Sequence, residues 1–155
     1  MIHFDLDGVI RNLGSLERKN TPCWKIKIDG EDFCEYINNN LHILKESPPT
    51  EYYKTIHSSS DSFSIITRQD WHWRPYTIEW MHKHFSDKKF KLNFVGSFEE
   101  KMSFLKEEDF IVEDFPYFKD YSKIVLIGWP YNENVKGEHI RITNPKQLED
   151  FLKGK

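Results

Sequence analysis

The chain opens Met1-Ile2-His3-Phe4-Asp5-Leu6-Asp7-Gly8-Val9-Ile10, a short apolar run that stops at two aspartates and a glycine. Read as a strand, it delivers a pair of carboxylates to its own C-terminal end. In an open parallel sheet, that is the edge where ligands bind. Further apolar runs occur at 62–67, 92–96, 110–114, 123–128 and 139–142. They are nearly continuous instead of alternating, which suits parallel strands covered on both faces. Helical patterns lie between them. Residues 75–85 carry Pro75 in a first turn and Ile78, Met81, His82 and Phe85 at helical spacing. The stretch 97–106 opens with Ser97 and has Glu100 three residues later, a capping box. Residues 117–121 have room for only a turn or two. Asn144-Pro145 starts a last helix with Leu148, Phe151 and Leu152 on one face and Gly154 near its stop. This alternation predicts an α/β fold with a Rossmann-like, doubly wound parallel sheet.

One interval breaks the alternation. Roughly fifty residues separate the first two strands, far more than a βα connection needs. Trp24-Lys25-Ile26-Lys27-Ile28-Asp29-Gly30 reads as a hairpin arm, 31–45 as a helical run, and 51–57 as helical again after Ser47-Pro48-Pro49-Thr50. Ser58-Ser59-Ser60-Asp61 reads as a linker back to the core. The expectation is a small helical cap over 14–57, inserted into a core made of 1–13 and 58–155.

Composition narrows the function classes. With 155 residues, one domain plus a small insertion is expected, large enough to bury a core. Aromatic residues at 15% argue against disorder. No run approaches the ~20 apolar residues of a membrane span, and no leader pattern opens the chain, so a soluble, cytoplasmic protein is expected. A net charge of −3 argues against a partner such as long nucleic acid, and the lysines of 83–91 read as a solvated helix face. Cys23 and Cys34 are too few for a disulfide framework and read as reduced thiols. His72, His82 and His84 lack zinc-ligand spacing, and two residues apart on a helix do not converge.

The chemistry lies at the strand ends. Asp5 and Asp7 can hold a hard cation through oxygen, or one can attack an electrophile while the other moves protons. Asp7-Gly8 is equally an ordinary turn pair. The second strand ends at Thr67, a hydroxyl followed by N–H groups suited to a phosphate oxygen, and Arg68 beside it can reach substrate. Lys101, early in a helix, can neutralise phosphate charge. The fourth strand ends in a second acidic pair, Glu113-Asp114. Each has a plain structural reading alone, but four such signals in order at strand ends make that joint reading a poor one.

On these residues the chain resembles the haloacid dehalogenase-like hydrolase superfamily. Phe4-Asp5-Leu6-Asp7-Gly8-Val9 matches its first motif, Ile65-Ile66-Thr67 the second, Lys101 the third and Ile111-Val112-Glu113-Asp114 the fourth. Within that superfamily it is similar to the 5′(3′)-deoxyribonucleotidases, through Glu113-Asp114-Phe115-Pro116, Ile127-Gly128-Trp129-Pro130-Tyr131-Asn132 and the position of the small cap. The resemblance implies a Mg²⁺-dependent phosphomonoesterase acting through an aspartyl phosphate on nucleoside monophosphates. Asp5 would be the nucleophile and Asp7 the proton donor and acceptor. Asp5, Asp114 and the backbone carbonyl of Asp7 would hold Mg²⁺, with Glu113 standing behind them. Thr67 and Lys101 would hold the phosphoryl oxygens. A carboxylate attacks a dianionic phosphate only when the like charges are screened, which Mg²⁺ and Lys101 would do.

For the base, the cap aromatics Trp24, Phe33, Tyr36, Tyr52 and Tyr53 and the loop Trp71-His72-Trp73-Arg74 are available, though most should serve packing. Two alternatives stay open. One is another small phosphate ester or a nucleic-acid terminal phosphate as substrate. The other is a catalytically silent module that binds phosphate or a partner.

Overall fold

The computed structural model describes residues 1–13, 25–28, 30–118, 120, 122–137 and 139–155. After β1 (Ile2–Phe4) comes an antiparallel hairpin, β2 (Lys27–Ile28) and β3 (Glu31–Asp32), and then helices α1 (Phe33–Asn39), α2 (Ile43–Glu46) and α3 (Tyr53–Ser59). The chain continues through β4 (Ser62–Arg68), α4 (Arg74–His84), β5 (Lys89–Val95), α5 (Phe98–Ser103), β6 (Phe110–Glu113), β7 (Ile124–Ile127), β8 (Ile140–Ile142) and α6 (Pro145–Lys153).

Six strands form one all-parallel sheet in the order β5-β4-β1-β6-β7-β8. From β1 the chain steps outward to β4 and β5, then returns past its start to lay down β6, β7 and β8. The reversal falls between β1 and β6, where Phe4 pairs with Val112. At such a switch point, the strand ends open a crevice. The doubly wound α/β sheet expected from the alternation is the sheet observed, and a small insert follows β1.

Strand alternation divides the core. Phe4, Phe63, Ile65, Val112, Val125 and Ile127 pack with Ile56 of α3, Trp80 and Met81 of α4, and Leu148 of α6. Ile66, Val95, Ile111, Ile124 and Leu126 pack instead with Leu105 and with Met102 of α5. Each fully buried Ile or Leu here contributes about 1.5–3 kcal/mol relative to exposure. A third cluster joins Leu13, Phe33, Ile37 and Leu44 to Trp73 and forms the core of the insert. Tyr52 and Ile56 belong to the main core and not to that cluster, so position 57 falls within a helix that covers the sheet.

Several local expectations are corrected. The single helical run 31–45 is two helices, because α1 stops in an asparagine run and the Asn40 side chain donates 2.9 Å to the Tyr36 carbonyl. The strand expected at 92–96 begins earlier, at Lys89; it is an edge strand whose exposed Lys89 and Lys91 disrupt the apolar signal while discouraging pairing with other chains. No helix occurs among the described residues of 117–121, where Phe118 packs against Phe98 and Phe115. Cys34 is a free thiol, while Cys23, Trp24, Asp29 and Tyr121 lie outside the described residues. Among the described residues no helix is long and apolar enough to cross a membrane.

Candidate active site

The ends of β1 and β6 and the middle of α5 meet at the switch point. Past the last residue of β1, the Asp5 N–H donates 2.9 Å to the Val112 carbonyl, holding Asp5 against β6. Helix α5 starts at Ser97, whose Oγ accepts the Glu100 N–H at 3.0 Å. The Glu100 carboxylate reaches back to the Gly96 N–H at 2.7 Å, one residue short of a capping box. That cap fixes the helix that carries Lys101 inward. The Lys101 Nζ donates to Asp5 Oδ1 and to Glu113 Oε2, both at 2.7 Å, from a side chain only 1% exposed.

The other Glu113 oxygen accepts the N–H groups of Asp114 and Phe115 at 3.1 and 3.3 Å. Each Glu113 oxygen therefore already accepts at least one protein donor. Asp114 accepts a short hydrogen bond from the Tyr131 hydroxyl. Asp5, Glu113 and Asp114, all buried, each place a carboxylate oxygen within 4.8 Å of the others. Tyr131 sits in the 3-10 turn Pro130–Asn132, and Asn132 anchors that turn. The Asn132 Nδ2 donates to the carbonyls of Asp114 and Ile127 at 2.9 and 2.8 Å. Its Oδ1 accepts from the Trp129 N–H and from Arg141 Nη2, both at 2.9 Å.

Gly8 allows the first loop to close on Asp114. Its φ is +88°, a region that side chains rarely adopt. Its carbonyl accepts the Trp129 indole N–H at 2.8 Å.

Three carboxylates share this crevice with one ammonium. Burial, reinforced by Glu113, pushes the Asp5 carboxyl up to about 7 against the pull of Lys101. Burial and the charges of Glu113 and Asp5 hold Asp114 well above the usual carboxylate range, with the Tyr131 hydroxyl acting the other way. Burial alone would lower Lys101, but Asp5 and Glu113 more than offset it and hold the ammonium above its ordinary value. A buried surplus of negative charge is relieved by a cation. The donors are all carboxylate oxygens, with no His or Cys in the set, so a hard divalent ion such as Mg²⁺ fits. The Glu113 carboxylate accepts three of the hydrogen bonds above while those of Asp5 and Asp114 each accept one, so Asp5 and Asp114 are the carboxylates freer to hold it.

The other expected site residues are placed differently. The Asp7 carboxylate lies outside the acidic group and accepts from Arg11 and Gln69. Thr67 is buried near the end of β4, beside β1. Arg68 donates 3.2 Å to the Gly96 carbonyl and lies over the Phe98 ring, so protein groups hold it at the rim. Phe33 and Tyr36 pack in the insert, Tyr52 and Tyr53 in the main core, and Trp73 is buried with its indole N–H on Asn38 Oδ1 at 2.6 Å. Trp71 is 78% exposed. Sequence reasoning gave no role to Tyr131, Asn132 or Arg11, although the run Trp129-Pro130-Tyr131-Asn132 was visible after the fifth core strand. Comparison with protein-family models, with curated proteins and with solved structures finds no match.

Proposed function

We propose that the chain is a Mg²⁺-dependent phosphomonoesterase that forms an aspartyl phosphate on Asp5 and acts on nucleoside monophosphates. One observation carries this reading: a buried Lys101 ammonium bridges Asp5 and Glu113 at 2.7 Å, with Asp114 beside them, at the point where the strand order reverses.

The residues divide the work. Lys101 fixes the Asp5 carboxylate through Oδ1, which leaves Oδ2 to face an incoming phosphorus. The Asp5 oxygen attacks, the phosphorus–oxygen ester bond breaks, and the leaving oxygen takes a proton from Asp7. In the second half, Asp7 accepts a proton from water as the water oxygen attacks the same phosphorus, and inorganic phosphate leaves from Asp5. Thr67 supports the phosphoryl oxygens from the neighbouring strand. Mg²⁺ on Asp5 and Asp114 would supply positive charge against the phosphate dianion. Glu113 keeps Lys101 in place and does not compete for the phosphate. The substrate class rests on the likeness of Pro130-Tyr131-Asn132 and of the inserted cap to the 5′(3′)-deoxyribonucleotidases.

The deciding experiment measures phosphate release from dUMP, dTMP, dCMP, UMP, dAMP and a 3′-phosphorylated oligonucleotide, with Mg²⁺ and with EDTA. Metal-dependent release from the free nucleotides is expected. Release from the oligonucleotide alone would move the substrate to nucleic-acid ends. Binding of Mg²⁺ and nucleotide without release would leave a silent binding module.

A further inference from the structure

Arg11 is fully buried, yet it touches three separate parts of the molecule. Its Nε and Nη2 donate to Asp7 Oδ1 and Oδ2 at 2.7 and 3.0 Å, a two-pronged grip. Its Nη1 donates to the Leu44 carbonyl in α2 of the insert at 2.9 Å and to Thr77 Oγ1 on α4 at 3.1 Å. The Thr77 hydroxyl in turn donates to Gln69 Oε1 at 2.8 Å. That contact turns the Gln69 amide so that Nε2 donates to Asp7 Oδ2, also at 2.8 Å. The hydrogen bonds close a ring through Asp7, Arg11, Thr77 and Gln69.

The ring leaves Asp7 little freedom. A carboxylate offers about four acceptor directions. Oδ2 receives two donors and Oδ1 receives one, so the open direction is on Oδ1. The Asp7 side chain keeps 20% of its surface exposed while Arg11 keeps none, so Asp7 is the member of the pair open to an outside partner.

We infer that Arg11 is a positioning residue for Asp7: it selects Oδ1 as the oxygen that exchanges the proton, and it ties that orientation to the seat of the insert through the Leu44 carbonyl. The inference rests on Asp7 acting as proton donor and acceptor in the reaction proposed above. Lysine cannot replace Arg11, because a point charge cannot fill the two-pronged grip and the Leu44 bond together.

The test compares the wild type with Arg11→Lys on two substrates. Para-nitrophenyl phosphate has a leaving group that departs without a proton, whereas a deoxynucleoside monophosphate must expel an alkoxide. kcat/KM reports the first transfer. Arg11→Lys should lower it about 10²-fold or more for the nucleotide and under about tenfold for the aryl ester. Asp7→Asn should show the same split, and the double variant should lose no more than Asp7→Asn alone. Gln69→Leu provides the same comparison if Arg11→Lys does not fold, with a smaller split in the same direction. Equal losses on both substrates, or losses that add in the double variant, would overturn the inference and make Arg11 a structural tie only. Wild-type protein that releases phosphate from neither substrate with Mg²⁺ would overturn the proposed function, and this inference with it.

Discussion

Asp114 Oδ2 occupies the space into which a side chain on Gly8 would grow, since a Cβ there would stand 2.1 Å from that oxygen. The loop after β1 and the end of β6 are therefore in direct backbone-to-carboxylate contact. Gly8→Ala should displace Asp114 and strain the backbone at φ +88°, costing about 1–3 kcal/mol. Denaturant unfolding would read the stability loss. A Mg²⁺ titration by calorimetry should show weakened binding; unchanged affinity would mean that Asp114 is not a ligand.

Asp5→Asn removes one of three crowded carboxylates and leaves Lys101 its bond to Glu113. The metal-free fold should be as stable as the wild type or more so. Turnover should fall at least about 10⁴-fold. Thermal unfolding and phosphate release on the same preparation test both halves, and substantial remaining activity would refute the nucleophile assignment.

Lys101→Met has the opposite sign. It leaves Asp5 and Glu113 buried side by side without their counter-ion, at a cost of about 3–5 kcal/mol. Added Mg²⁺ should recover part of that loss, which chemical denaturation with and without the ion measures.

Tyr131→Phe deletes a hydroxyl that favours a charged Asp114. Mg²⁺ affinity should drop 10–100-fold, with little change in fold, as judged by circular dichroism. An unaltered dissociation constant would remove Tyr131 from the site.

The pH response of the metal-free protein follows from Asp5. Its folded pKa of about 7 lies above the ordinary 3.8, so between those values the folded state binds the proton that the unfolded state has released. Stability therefore declines as pH rises across that interval, and Asp114, also held above the usual carboxylate range, acts in the same direction. Mg²⁺ binds the deprotonated site, so its stabilising effect should be larger near about pH 8 than near about pH 5. Melting curves in EDTA and in Mg²⁺ at both values check the sign.

Much of this was legible in the chain because it depends on local order. Apolar runs that stop at Asp5, Thr67 and Glu113-Asp114 announce strand ends, and parallel pairing brings those ends to one edge. Lys101 could be placed because a capped helix start fixes its turn. Contacts between distant loops were not legible. The bond from Tyr131 to Asp114 depends on how Asn132 anchors the turn after β7, and nothing local reports it. Arg11 follows an apolar pair and drew no reading; its partners come from distant elements, Leu44 in α2 of the insert and Thr77 in α4. The break between α1 and α2 was hidden because asparagine side chains compete for backbone bonds without disturbing apolar spacing.

The placement of β1 affects how the chain assembles as it is made. β1 precedes every other strand of its sheet in the chain, yet one of its two neighbours, β6, begins at Phe110. A growing chain can seat β1 against β4 early, but the other side of β1 stays unzipped until β6 has left the ribosome. The acidic crevice, with its internal repulsion, cannot close before then. A product released before residue 110 would thus expose its central strand as a sticky edge, and it should precipitate instead of surviving as a smaller domain.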